Sequence, residues 1–140
     1  MAEFQSARVV FDTSTLVSAV LKPQSVPAQS LARAWEVAEL VVSTETLDEL
    51  RQVLARDRLD RFRDIGARRE FFDHYEAMTL LCPVETSVVA CRDPSDDKFL
   101  SLAVSAGAKL IISSDNDLLT LGQLRGVTIL RPSQFLALCA

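Results

Sequence analysis

The chain has 140 residues, 49% hydrophobic and 24% charged, with four glycines and five prolines, which gives one packed domain over residues 1–140 and excludes disordered or collagen-like chains. No apolar run approaches the ~20 residues of a membrane span, no basic segment leads into a signal-like stretch, and Cys82, Cys91 and Cys139 lack the spacing of a disulfide framework or zinc knuckle. The net charge of −4 advertises no nucleic acid; from the missing span and signal-like stretch the expectation is a cytoplasmic protein, not bound to a membrane, whose cysteines serve as small core hydrophobes.

From the N-terminus, Val9-Val10-Phe11 reads as a strand ending at Asp12. Thr13-Ser14 caps a helix that runs to about Leu21, where Pro23 stops it. Pro27 falls in the first turn of a second helix, whose Leu31, Ala34, Trp35 and Ala38 recur at helical spacing. Leu40-Val41-Val42 predicts a second strand, and Ser43 or Thr44 caps a third helix with Leu47, Leu50 and Leu54 as its apolar stripe.

An arginine-rich stretch comes next, then a helix near residues 68–80 and a short strand near 82–85. Asp93-Pro94-Ser95 is a turn that opens a helix with Phe99, Leu100, Ala103 and Val104 on one side, closed by Gly107. Leu110-Ile111-Ile112 is a strand leading into Ser113-Ser114-Asp115, Val127–Leu130 is the last strand, and residues 132–138 form a terminal helix. Continuous apolar strands alternating with helices predict an α/β chain in three layers, with a parallel sheet of four or five strands covered on both faces. Such sheets bind ligands outside the carboxyl ends of their strands.

Acids gather at those ends. Asp12 ends the first strand, Glu45, Asp48 and Glu49 follow the second, Asp93, Asp96 and Asp97 open the helix before the third, and Asp115 follows it. Converging carboxylates repel one another unless a cation lies between them, and oxygen ligands without His or Cys select Mg²⁺ or Mn²⁺. Each acid also has a structural role open to it: Asp96 and Asp97 complement a helix dipole, Asp93 caps a turn, and Glu49 completes a capping box with Thr46. Spacing alone leaves open the choice among Glu45, Asp48 and Glu49, and between Asp96 and Asp97.

The stretch from Arg51 to Arg69 holds seven arginines against Asp57, Asp60 and Asp64, a local excess of four positive charges in an otherwise acidic chain. Arg56, Arg58 and Arg61 are the candidates for holding phosphates; the alternative is a solvated helix face laced with ion pairs. His74, the one histidine, has no second histidine with which to run metal-free acid–base cleavage and is read as structural or exposed.

The segments VVFDTSTLVSAVL (9–21), STETLDELRQVLAR (43–56), RDPSDDKFLSLAVSAGAKLIISSDNDLLTL (92–121) and VTILRPSQFLAL (127–138) resemble, in order and spacing, the PIN-domain nucleases. The similarity is greatest to the prokaryotic VapC-like toxins of type II toxin–antitoxin systems. This resemblance implies the PIN fold and places the four acids of the reaction on Asp12, Glu49, Asp96 and Asp115. Asp12, Asp96 and Asp115 would hold Mg²⁺ or Mn²⁺, with Asp97 as a neighbour able to share it, and Glu49 would position the attacking water. Ser14, Ser113 and Asp117 would support the site; Ser113-Ser114 stands where the family usually has Thr and Gly.

The implied activity is hydrolysis of RNA phosphodiester bonds, an endoribonuclease leaving 5′-phosphate and 3′-hydroxyl ends. The implied partners are the RNA, a cognate antitoxin whose C-terminal arm covers the acidic pocket by offering an arginine, and a second copy in a homodimer. The alternative is a PIN-fold RNA- or protein-binding module with little or no turnover. A haloacid-dehalogenase-like phosphatase fits poorly, because position 14 is Ser where that chemistry needs a second Asp. A phosphoryl-receiver domain wants an acidic pair before the first strand's end and a lysine after a late strand, and neither is present.

Overall fold

A computed structural model describes residues 7–140. Strands β1 (Ala7–Phe11), β2 (Ala38–Val42), β3 (Leu80–Leu81), β4 (Leu110–Ile112), β5 (Gln123–Leu124) and β6 (Val127–Leu130) form one sheet in the order β3-β2-β1-β4-β6-β5. Every pairing is parallel except the β5–β6 hairpin. Helices α1 (Thr13–Leu21), α2 (Val26–Val37), α3 (Thr44–Leu54), α4 (Ile65–Met78), α5 (Asp97–Ala106), α6 (Asn116–Leu119) and α7 (Pro132–Cys139) cover it.

Consecutive strand residues alternate between the faces of the sheet, and because both faces are covered, both sets are apolar. Val9, Phe11, Leu40, Val42, Leu110 and Ile112 pack with Leu16, Leu31, Leu50, Tyr75 and Phe135 in one core. Val10, Val41, Ile111, Val127 and Ile129 pack with Phe99, Leu100, Leu102 and Leu118 in the other. These are the three layers the apolar runs predict.

The expected sheet of four or five strands gains a sixth because both edges carry two-residue strands. β3 lies just ahead of the expected residues 82–85: Cys82 N–H still donates to Val42 O at 2.8 Å, and the strand ends there. At the other edge, Arg125 and Gly126 have φ of 49° and 82°. Two positive φ values make the two-residue turn that matches strand twist and bring Leu124 opposite Val127.

The chain passes from β1 outward to β2 and β3, then crosses back to β4 on the other side of β1. That reversal opens a crevice at the carboxyl ends of β1 and β4, where Asp12 and the Ser113–Asp115 turn stand. Gly107, at φ 68°, ends α5 in the left-handed conformation that a side chain disfavours.

Candidate active site

Asp12 leaves β1 in extended conformation, and its Oδ1 accepts the Thr15 N–H at 3.0 Å, capping α1. Its Oδ2 accepts the hydroxyls of Ser113 and of Ser14, the latter at 3.3 Å. Ser113 also takes the Asp115 N–H at 2.9 Å, so a single hydroxyl ties the end of β1 to the turn carrying Asp115. Asp115 in turn caps α6 by accepting the Asp117 N–H at 2.8 Å. Burial pushes the Asp12 carboxyl above its usual range, against the pull of these hydrogen bonds.

Glu49 reaches the same crevice from the second turn of α3. The helix begins with a box closed by Ser43 and Thr46, so the expected capping box of Thr46 with Glu49 does not form and the Glu49 carboxylate is free for other partners. One oxygen accepts the Thr13 hydroxyl and the other the Lys98 ammonium. Glu45 is exposed and Asp48 pairs with Arg51 at 2.8 Å; neither faces the crevice.

Asp96 closes the 3₁₀ turn of Pro94–Asp96, and its Oδ2 is buried without a hydrogen-bond donor. Its carboxyl is pushed up to about 7, first by burial and then by the charge and direct contact of Asp115, with Asp93 and Asp12 adding to the repulsion. Two carboxyl groups in contact must share a proton or a cation.

Asp12, Glu49, Asp96 and Asp115 thus line one cavity of about 400 Å³, together with Thr13, Ser14, Asp93, Ser95, Arg56 and Arg58. Its charged and polar lining offers only oxygen as a metal donor, the chemistry of a hard divalent cation. One trio of carboxylates among the described residues has oxygens within 4.8 Å of one another, and it is Asp93, Asp96 and Asp117. It keeps Asp96 from the expected metal set and has Asp93 and Asp117 in place of Asp12 and Asp115. Asp117 also pairs with Arg92 at 2.8 Å.

Four expected residues do not line this cavity: Ser113 and Asp117 touch it only through Asp12 and Asp115, while Asp97 and Arg61 turn elsewhere. Asp97 turns to the preceding loop, where its Oδ1 accepts the N–H groups of Cys91 at 2.8 Å and Ala90 at 3.0 Å. Those bonds, led by Cys91's, hold its carboxyl below the usual range. Arg61 instead lies over the Phe62 ring, 4.8 Å from its centroid.

The rest of the basic stretch divides by partner. Arg68 is fully buried and donates to the carbonyls of Leu54, Arg56 and Arg63 and to Asp60. Arg63 donates to Val20 O at 2.8 Å. Arg68 therefore shapes the loop from which the exposed Arg56 and Arg58 enter the cavity wall. His74 is exposed beside Trp35, away from the crevice. Lys98 and Thr13 are the site residues that spacing does not single out; the DPSDDKF segment contains Lys98, but its partner lies 49 positions away.

The PIN-domain family profile matches residues 8–117. The chain belongs to the PIN-domain family. Among curated proteins it is 25% identical over 118 residues to the uncharacterized protein MJ1680 of Methanocaldococcus jannaschii, across 81% of this chain and 74% of that protein.

Solved structures share the PIN fold. VapBC2 from Rickettsia felis, bound to a DNA fragment from their promoter, superposes with a TM-score of 0.60 at 10% identity, covering 87% of this chain and 96% of that one. PAE2754 from Pyrobaculum aerophilum gives 0.62 at 16% identity over 95% and 90%. FitAcB from Neisseria gonorrhoeae gives 0.52 at 15% over 89% and 98%. No helix among the described residues is long and apolar enough to cross a membrane.

Proposed function

We propose that this PIN domain is a Mg²⁺- or Mn²⁺-dependent endoribonuclease and the toxin of a type II toxin–antitoxin pair. The observation that carries the reading is the buried, donor-less Oδ2 of Asp96 against Asp115, in a cavity that Asp12 and Glu49 also line and that Arg56 and Arg58 border. Burying carboxylates together is unfavourable for the fold alone and suits a site built for a cation.

Asp96 and Asp115 would hold the divalent ion, with Asp12 facing it from the end of β1 and Asp93 and Asp117 within reach at the rim. The bound ion would supply charge neutralisation at the phosphate and acidify a water. Glu49, fixed by Thr13 and Lys98, accepts a hydrogen bond from the attacking water and orients it. Arg56 and Arg58 hold flanking phosphates of a single strand or loop. Ser14 and Ser113 keep Asp12 in place.

A protein partner is supported by the likeness of fold to VapBC2, whose structure holds its proteins on a fragment of their promoter. An antitoxin arm would offer an arginine to the same carboxylates.

The test is cleavage of a varied RNA panel by highly purified protein with Mg²⁺ or Mn²⁺, beside Asp12→Asn, Asp96→Asn and Asp115→Asn purified identically and shown to be folded. Activity lost together in all three assigns cleavage to this chain. Binding without cleavage by the wild type would favour a PIN-fold binding module instead.

A further inference from the structure

The cavity has two unequal halves. Around Asp96 and Asp115 no ion pair forms among the described residues, and the Asp96 Oδ2 is buried without a donor. Around Glu49 the negative charge is compensated: the Lys98 side chain is 12% exposed, and its ammonium donates to Glu49 and to Ser95 O at 2.6 Å, lying 5.5 Å from the Phe99 ring centroid. Thr13 supplies the donor for the other Glu49 oxygen.

A divalent ion gains most where the carboxyl groups have no ion pair. To be held by Glu49 it would have to expel an ammonium that is largely withdrawn from water and has a second acceptor of its own. Lysine suits the place because its charge is a compact point on a flexible stem, here laid along an aromatic ring.

Resting on the reading of this chain as a metal-dependent nuclease, we propose that Lys98 stands in for a second divalent cation. It is a positioning residue that fixes Glu49, and the site takes up one divalent ion rather than two. Lys98 thus restrains Glu49 from swinging into the ion's shell and leaves its carboxylate directed at the water.

Mn²⁺ titration of the full chain without RNA, read by electron paramagnetic resonance and calorimetry, tests this directly. One Mn²⁺ is expected on the wild type and on Lys98→Arg, and two on Lys98→Met and on Lys98→Gln, the second variant guarding against a folding defect in the first. With Mn²⁺ sufficient for the first site only, Lys98→Met should lose about tenfold or more in kcat while KM for RNA changes little, and regain rate as Mn²⁺ rises. Lys98→Arg, which keeps the charge but not its compactness, should lose less kcat than Lys98→Met. Two Mn²⁺ on the wild type, or only one on the folded Met and Gln variants whatever their kcat, overturns the inference while leaving the nuclease reading standing. No Mn²⁺ on any of them overturns the proposed function, and this inference with it.

Discussion

The hydroxyl of Ser113 donates to Oδ2 of Asp12 across 101 positions of sequence, joining the ends of two neighbouring strands at the floor of the cavity. Asp12 is 2% exposed and carries a charge that burial disfavours, yet it also caps α1. Asp12→Asn keeps an oxygen for the cap and presents an amide to two hydroxyls that can rotate to accept it. In metal-free protein it should melt above wild type at neutral pH. Asp12→Ala should melt below Asp12→Asn, because losing a cap costs about 1 kcal/mol. Thermal denaturation in a chelator reads both, and an Asn variant melting well below wild type would contradict the cost assigned to that buried charge.

Asp96 gives a pH dependence with a definite sign. Its carboxyl titrates near 3.8 when unperturbed and at about 7 in the fold, so between those values the folded chain holds a proton that the unfolded chain has released. Stability from this group is fully present below the lower value and is lost as pH rises through the upper one. Metal-free protein should therefore lose melting temperature from about pH 5 to about pH 8, and Asp96→Asn should flatten that fall. Mn²⁺ should raise the melting temperature more at the alkaline end, where it meets ionised ligands. Equal slopes for wild type and Asp96→Asn would remove Asp96 as the source.

The arginines can be separated by their partners. Arg56 and Arg58 line the cavity, whereas Arg61 covers Phe62. Replacing Arg56 and Arg58 with Ala should weaken RNA binding and flatten its salt dependence by ~0.7 per lost phosphate contact, the value for single strands. Arg61→Ala should leave the slope unchanged. Filter binding across a salt series decides, and an equal loss from Arg61→Ala would restore it to the phosphate-binding set.

β1, β2, β4 and β6 were legible because each carries a run of apolar or β-branched residues, and the first acid because Asp12 sits where such a run ends beside helix-capping residues. The β5–β6 hairpin was not: its turn puts Arg125 at positive φ, where Asn or Asp is the usual signal. Asp96 and Asp97 are adjacent and chemically alike, and only the folded loop shows that Asp97 is occupied by the N–H groups of Ala90 and Cys91. Lys98 and Arg68 look like ordinary surface charges in sequence. What buries Arg68 is a set of carbonyls converging from three places in the chain, which no spacing announces.

Arg68 supplies the fourth prediction. Arg68→Met should destabilise the fold by on the order of 3–5 kcal/mol, because it leaves buried carbonyls without donors. Asp60→Asn should cost far less, since Asp60 is 59% exposed. Arg68→Lys should rescue poorly, as an ammonium cannot match the directions of the guanidinium fork. Denaturant unfolding measures all three, and a Lys variant as stable as wild type would show that charge alone suffices there.

Glu49 separates an enzyme from a binding module. Its carboxylate bridges Thr13 on α1 and Lys98 on α5. In Glu49→Gln the amide oxygen can still face Lys98, and the amide N–H can face a Thr13 hydroxyl turned to accept it, so the cavity keeps its shape. What disappears is the charge that the proposed function assigns to orienting the attacking water. RNA binding should persist while metal-dependent cleavage falls roughly 10²–10⁴-fold, the loss typical of an acid–base group. Glu45→Gln is the matched control, because Glu45 is exposed on the first turn of the same helix and does not line the cavity. Single-turnover cleavage and binding of the same RNA, measured side by side, distinguish the outcomes. Should Glu45→Gln abolish cleavage and Glu49→Gln spare it, the water-orienting role cannot belong to Glu49. Should both variants cleave like wild type, the activity must come from groups other than Glu49 or from a contaminating nuclease, and the aspartate variants separate those two cases.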